Sequence, residues 1–136
     1  MKITIEDLET KLENWIRQSG GVQTVNIHAF YIGKSESKNF EKRKQKHESE
    51  GYNGTLEIAH GKAETVELAE TRLAEYFQTT DLKNKLINVD PKANGNNKAD
   101  TLYVAYKAHL VEGKQLSIDD LDDPEILEWP ESYELQ

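Results

Sequence analysis

The stretch Phe30-Tyr31-Ile32-Gly33-Lys34-Ser35-Glu36-Ser37-Lys38-Asn39-Phe40-Glu41-Lys42-Arg43-Lys44-Gln45-Lys46-His47 decides how the chain is read. Its first residues close an apolar, aromatic run on Gly33, the pattern of a strand that ends where backbone can approach a ligand. From Ser37 or Asn39, either of which can cap a helix, the chain reads as helical to about Glu50 and stops at Gly51. The exposed side of that helix is almost entirely cationic. A tyrosine-bearing strand, a glycine and a helix with an arginine and a histidine form a phosphate-handling unit if the rest of the chain completes it.

The charge pattern supports that reading. The formal charge is −8, with 25 acids and 17 lysines and arginines. Ser117 to Gln136 holds eight of the acids and no base, so the remainder balances 17 against 17. Lys34 to His47 holds six bases and two acids. The chain is therefore a neutral body with one basic patch and one acidic tail. With no cysteine, disulfides and thiolate metal sites are excluded. No apolar run approaches the roughly 20 residues needed to span a bilayer, and MKITIEDLE has no signal-like apolar core. A cytoplasmic protein without a membrane partner is expected.

Outward from the central stretch, residues 4–18 form an amphipathic helix, with Thr4 as cap, Ile5, Leu8, Leu12, Trp15 and Ile16 at helical spacing, and Gly20-Gly21 as its end. Val22 to Gly33 is strand-like, as one strand or as a hairpin bent near Asn26-Ile27-His28. After the turn signal Asn53-Gly54 come a short strand over 55–60 and a helix over 63–79. Val66, Ala69, Leu73, Tyr76 and Phe77 line that helix's buried stripe, and Glu64, Glu67, Glu70, Arg72 and Glu75 lie mostly off it. A shorter helix over 82–87, a polar loop over 89–100 and a strand over 101–110 complete the body. The tail carries an apolar edge of Ile126, Leu127, Trp129, Tyr133 and Leu135. It is expected either to dock through Trp129 and Tyr133 or to lie over the 34–47 face as a DNA mimic.

These elements predict an α+β fold, with a small mixed sheet of about three strands flanked by helices. Residues 1–116 form one domain that includes the extra N-terminal helix, and 117–136 form the acidic tail.

Phosphodiester hydrolysis needs a base for water, a cation against the charge growing on phosphorus, and usually a metal ion. Tyr31 serves as base only if nearby cations lower its pKa from about 10, and Lys34 and Arg43 are the candidates. Arg43 and His47 are four apart and share one helix face, where a guanidinium can fork onto phosphate oxygens. Lys38, Lys42, Lys44 and Lys46 are candidate nucleic-acid contacts.

Tyr31-Ile32-Gly33-Lys34, then Phe40-Glu41-Lys42-Arg43 and His47, resemble the second signature strand and first helix of the GIY-YIG nucleases. The run Asn39 to Arg43 followed by His47 is close to that of phage homing endonucleases in the family. Glu70 lies where members carry a metal-binding glutamate on a helix, and Asn88 where the last signature asparagine is expected; the likeness spans about Ile27 to Asn97. It implies a GIY-YIG-like fold and hydrolysis of DNA. In that scheme Tyr31 positions and activates water, Lys34 lowers its pKa, Arg43 holds the scissile phosphate, His47 assists at the phosphate or leaving group, and Glu70 binds a single Mg²⁺ (or Mn²⁺). Specificity would then come from inserts, a protein partner or a homodimer.

The first signature, Gly-Ile-Tyr on a preceding strand, is not legible. His28, Tyr103 or Tyr106 takes its place, or the site is degenerate. In the degenerate case the fold binds nucleic acid, a nucleotide or a partner protein, as in phage–host antagonism.

Overall fold

Thr4 Oγ1 accepts the Asp7 amide at 3.1 Å, which caps the first helix, α1 (Ile5–Arg17), and leaves Glu6 and Asp7 in its electropositive first turn. In the computed structural model, which describes residues 1–18, 25–87, 98–110 and 127–136, this helix comes after a short strand, β1 (Lys2–Ile3). The end at Gly20-Gly21 and the loop over 89–97 lie outside the described residues. One strand, β2 (Val25–Ser35), carries the tyrosine-glycine sequence; the chain does not turn back near His28 but slips register there, between Ile27 and Ala29.

The sheet is completed by β3 (Gly54–His60), β4 (Thr101–Leu110) and β5 (Tyr133–Leu135), in the order β1-β5-β3-β4-β2. β4 is antiparallel to both β2 and β3, whereas β5 runs parallel to β3 and β1. There are thus five strands where about three were expected. The additional two, β1 and β5, are two and three residues long, too short to show alternation in the sequence. The last strand belongs to the tail, whose apolar edge buries Leu127, Tyr133 and Leu135. Trp15 Nε1 donates to the Glu128 carbonyl at 2.6 Å and Trp129 Nε1 to the Ile58 carbonyl at 3.2 Å, so both indoles have a partner for their polar edge. The described tail residues dock at the β1–β3 side of the sheet; 117–126 lie outside the described residues.

Alternation along β2 sends Phe30 and Tyr31 to opposite faces. Phe30 meets Phe77 of α3 (Ala63–Gln78) edge-on at 5.1 Å, and Tyr106 of β4 meets Trp15 of α1 at 5.8 Å. Tyr31 instead meets His47 of α2 (Phe40–Ser49) at 5.1 Å. Helices α1 and α3 therefore cover one face, with the main core between them and the sheet, and α2 covers the other. Gly51 takes φ +94°, a left-handed conformation suited to glycine just past α2.

Two local expectations are corrected. Neither Ser37 nor Asn39 caps α2. Residues Ser37–Asn39 form a 3-10 turn, in which the Ser37 amide donates to Asp100 Oδ1 at 2.8 Å and Asn39 donates to Glu36. The short helix over 82–87 is a 3-10 turn, Asp81–Asn84, because the open edge of β2 captures the residues after it. Phe30 N donates to the Lys85 carbonyl and Ile87 N to the Phe30 carbonyl, each at 2.8 Å. Among the described residues no helix is long and apolar enough to cross a membrane.

Candidate active site

Tyr31 and Tyr103 converge over a residue that has no side chain. Gly33 pairs with Tyr103 across the β2–β4 ladder, and Tyr31 projects from the same face two residues earlier. A Cβ on Gly33 would stand 2.5 Å from the Tyr103 ring and hydroxyl and 2.7 Å from the Tyr31 ring. The glycine is there because two aromatic rings occupy its space. Gly33→Ala should therefore displace both rings and cost about 1–3 kcal/mol, read as a lower urea midpoint. An unchanged midpoint with unchanged tyrosine fluorescence would contradict this packing.

The geometry decides among the three candidates for the missing tyrosine position. Tyr106 lies on the opposite face, against Trp15. His28 is exposed at the register slip, where it contacts His109, not Tyr31. Tyr103 alone stands by Tyr31, with ring centroids 6.3 Å apart.

His47 closes the cluster. Its Nε2 lies 2.8 Å from the Tyr103 hydroxyl, and its ring packs on Tyr31, Tyr103 and Tyr52. Nδ1 is buried without a hydrogen bond, and its nearest acid is Glu50, at 3.6 Å. With Nδ1 turned to a carboxylate, that nitrogen carries the proton and Nε2 accepts from Tyr103. Burial lowers the His47 pKa, with Lys46 and Arg43 acting in the same direction and Glu50 opposing, so the ring is neutral near pH 7. Glu50 was not foreseen, although its spacing of three from His47 on a helix is the signal that could have found it.

Burial also raises both tyrosines. Tyr103 is pushed far above the ordinary phenol range by desolvation and then by Tyr31, with Arg43 drawing it back. Tyr31 is raised by desolvation and then by Glu70, and lowered by Arg43. The expected role of Lys34 in lowering Tyr31 is thus corrected: the cation that acts on the phenols is Arg43. Lys34 alternates to the α3 face, where its buried ammonium sits 3.6 Å from Glu67.

Glu70 is likewise not off the buried stripe of α3 but only 4 % exposed. Desolvation raises its pKa to about 7, with Lys34 lowering it and Glu67 raising it. Its Oε1 is buried with no hydrogen-bond partner among the described residues. A buried, unpartnered carboxylate oxygen suits a cation; the adjacent Lys34 ammonium opposes one. No group of three His, Cys, Asp or Glu converges as a metal site among the described residues, so an ion there would take one carboxylate and waters, as Mg²⁺ accepts. Asn88 lies outside the described residues.

Arg43 is exposed on α2, one position from the row of exposed Lys38, Lys42 and Lys46; Lys44 is half-buried. The cluster thus presents phenol hydroxyls beneath a guanidinium, with a cationic helix face beside it. Comparison of the chain with protein-family models, with curated proteins and with solved structures returned no match.

Proposed function

We propose that the chain is a Mg²⁺-dependent endonuclease of the GIY-YIG type that hydrolyses phosphodiester bonds in DNA. The observation that carries this reading is the pairing of Tyr103 with Tyr31 over Gly33 on adjacent antiparallel strands. Thr101-Leu102-Tyr103 stands where the first signature tyrosine is required, so the two tyrosine strands occur in permuted order along the chain.

In this reading Tyr31, half-buried, faces the attacking water, and Tyr103 orients it through a hydroxyl whose proton is held by His47. Exposed Arg43 forks onto the scissile phosphate and is the cation nearest in effect to both phenols. Glu70 would hold the metal ion, which supplies Lewis-acid polarisation of a phosphate oxygen when bound. The charge of Glu70 raises the pKa of both tyrosines, so neutralising that carboxylate favours proton loss from Tyr31.

Supercoiled plasmid incubated with the protein and Mg²⁺ or Mn²⁺ tests the proposal. Nicking lost in Arg43→Ala and Glu70→Ala supports it; no nicking across metals and substrates sinks it. A second reading is favoured by one observation, the Lys34 ammonium beside Glu70, which already supplies part of a counter-charge. Here the same fold binds nucleic acid, a nucleotide or a partner protein without cleaving. A salt-dependent shift of DNA without nicking selects the nucleic-acid form of that reading.

Both DNA readings require the α2 face. Replacing Lys38, Lys42 and Lys46 together by Gln should make the slope of log K against log salt shallower, by about 0.9 for each phosphate no longer neutralised. An unchanged slope would place the DNA elsewhere.

A further inference from the structure

His28, which the tyrosine cluster leaves unused, has a partner of its own. The Nδ1 atoms of His28 and His109 lie 3.0 Å apart, with the rings tilted and their centroids 5.0 Å apart. The two side chains meet because of the register slip in the β2–β4 ladder: Ile27 pairs with Ala108 and Ala29 with Lys107, leaving His28 as the extra residue. A bulge of this kind re-aims one side chain without disturbing the strands around it.

We propose that His28 and His109 form a two-histidine chelate for a borderline divalent transition-metal ion, Zn²⁺, Cu²⁺ or Ni²⁺. The site is separate from the tyrosine cluster and from Glu70. An ion about 2.0–2.1 Å from each imidazole nitrogen holds the two nitrogens roughly 2.8–3.4 Å apart for bond angles between square and tetrahedral. The observed separation falls inside that window, so little motion is needed. Without the ion, one Nδ1–H donates to the other ring. With it, both Nδ1 lone pairs face the metal and the proton of that ring moves to its own Nε2, so no net charge changes on the protein. Asn26 stands ready for this tautomer: its amide nitrogen is 3.4 Å from His109 Nε2, and rotating the amide presents its oxygen to the Nε2–H. A partner on the far nitrogen that fixes ring and tautomer is the usual support of a metal-bound histidine.

The chemistry also sets the choice of ion. Among the described residues no third His, Cys, Asp or Glu joins the pair, so waters complete the coordination sphere. Two neutral imidazoles favour ions high in the Irving–Williams order over Mg²⁺, which prefers oxygen. The nearby lysines are engaged elsewhere: Lys85 Nζ donates to the Ile27 carbonyl at 3.1 Å, and Lys107 Nζ lies 5.0 Å from the Tyr52 ring centre. A bound ion would bridge β2 to β4 across the slip.

Titration calorimetry of the full chain with Cu²⁺, Ni²⁺ and Zn²⁺ tests this, beside His28→Ala, His109→Ala and Glu70→Gln. The expected result is one micromolar site for at least Cu²⁺, weakened about tenfold or more by either histidine change and unaffected by Glu70→Gln. NMR with substoichiometric Cu²⁺ should broaden the His28 and His109 ring signals first. Binding that persists unchanged in both histidine variants, or no binding of any of the three ions to about 1 mM, overturns the proposal. Neither outcome depends on whether the chain cleaves DNA.

Discussion

Tyr103→Phe is expected to lower plasmid nicking by about 10²–10⁴-fold, the range for loss of a positioned acid–base group, while the protein stays folded. The change removes one oxygen and keeps the ring that fills the space over Gly33. Its stability cost is the loss of the 2.8 Å hydrogen bond to His47, which leaves Nε2 buried without a donor, about 1–2 kcal/mol in urea. Tyr31→Phe should cost less, because Tyr31 is half-buried and no comparable partner holds its hydroxyl, yet it should lower nicking as much or more. The two readouts therefore separate: Tyr103→Phe is the larger loss in stability, Tyr31→Phe at least its equal in rate. If both variants nick as fast as the parent, the phenols are packing residues and the catalytic reading fails with them.

The order of elements was legible because α1, β2, α2, β3, α3 and β4 each carry a complete periodic signal over seven or more residues. The strands that escaped notice, β1 and β5, exist only through pairing with each other and with β3, a long-range property with no local signature. The site was half legible for a related reason. Tyr31, Arg43 and His47 sit within seventeen residues of one another in sequence order and form one local unit. Tyr103 enters only because the ladder sets it opposite Gly33, so the sequence offered it as one of three candidates and could not choose. Lys34 was assigned to Tyr31 by proximity along the chain. A strand sends neighbours to alternate faces, and an odd separation of three puts Lys34 on the side of α3 instead. Glu70 was placed among surface acids because it stands beside Ala69 and Leu73 in a glutamate-rich helix; its burial comes from where α3 docks, which the helix sequence does not state.

Glu70→Gln should stabilise the protein at pH 8 and abolish metal-dependent cleavage, two effects of one buried carboxylate. Its pKa rises from the ordinary 4.5 to about 7 in the fold, mainly because burial penalises the charged form. Between those values the unfolded chain has released the proton and the folded chain retains it, so stability falls as pH rises, and the full loss is reached above pH 7. The shift corresponds to about 3 kcal/mol, of which Gln should recover roughly 2 at pH 8 and almost none at pH 4. A stability difference that does not grow with pH would mean that Glu70 is not desolvated as described. The same carboxylate in the charged form is what a divalent cation requires, and its Oε1 has no other partner among the described residues. Mg²⁺ should therefore raise the melting temperature of the parent at pH 8 and leave Glu70→Gln unmoved. An equal Mg²⁺ response in both would remove Glu70 as the metal ligand, even if cleavage were lost. The Lys34 ammonium sets the balance: it lowers the pKa of Glu70 and so favours the charged form, but it competes with the ion for the same carboxylate. Lys34→Met should consequently raise the pKa of Glu70 further, while the Mg²⁺ shift in melting temperature persists at pH 9, where the carboxylate is charged without it.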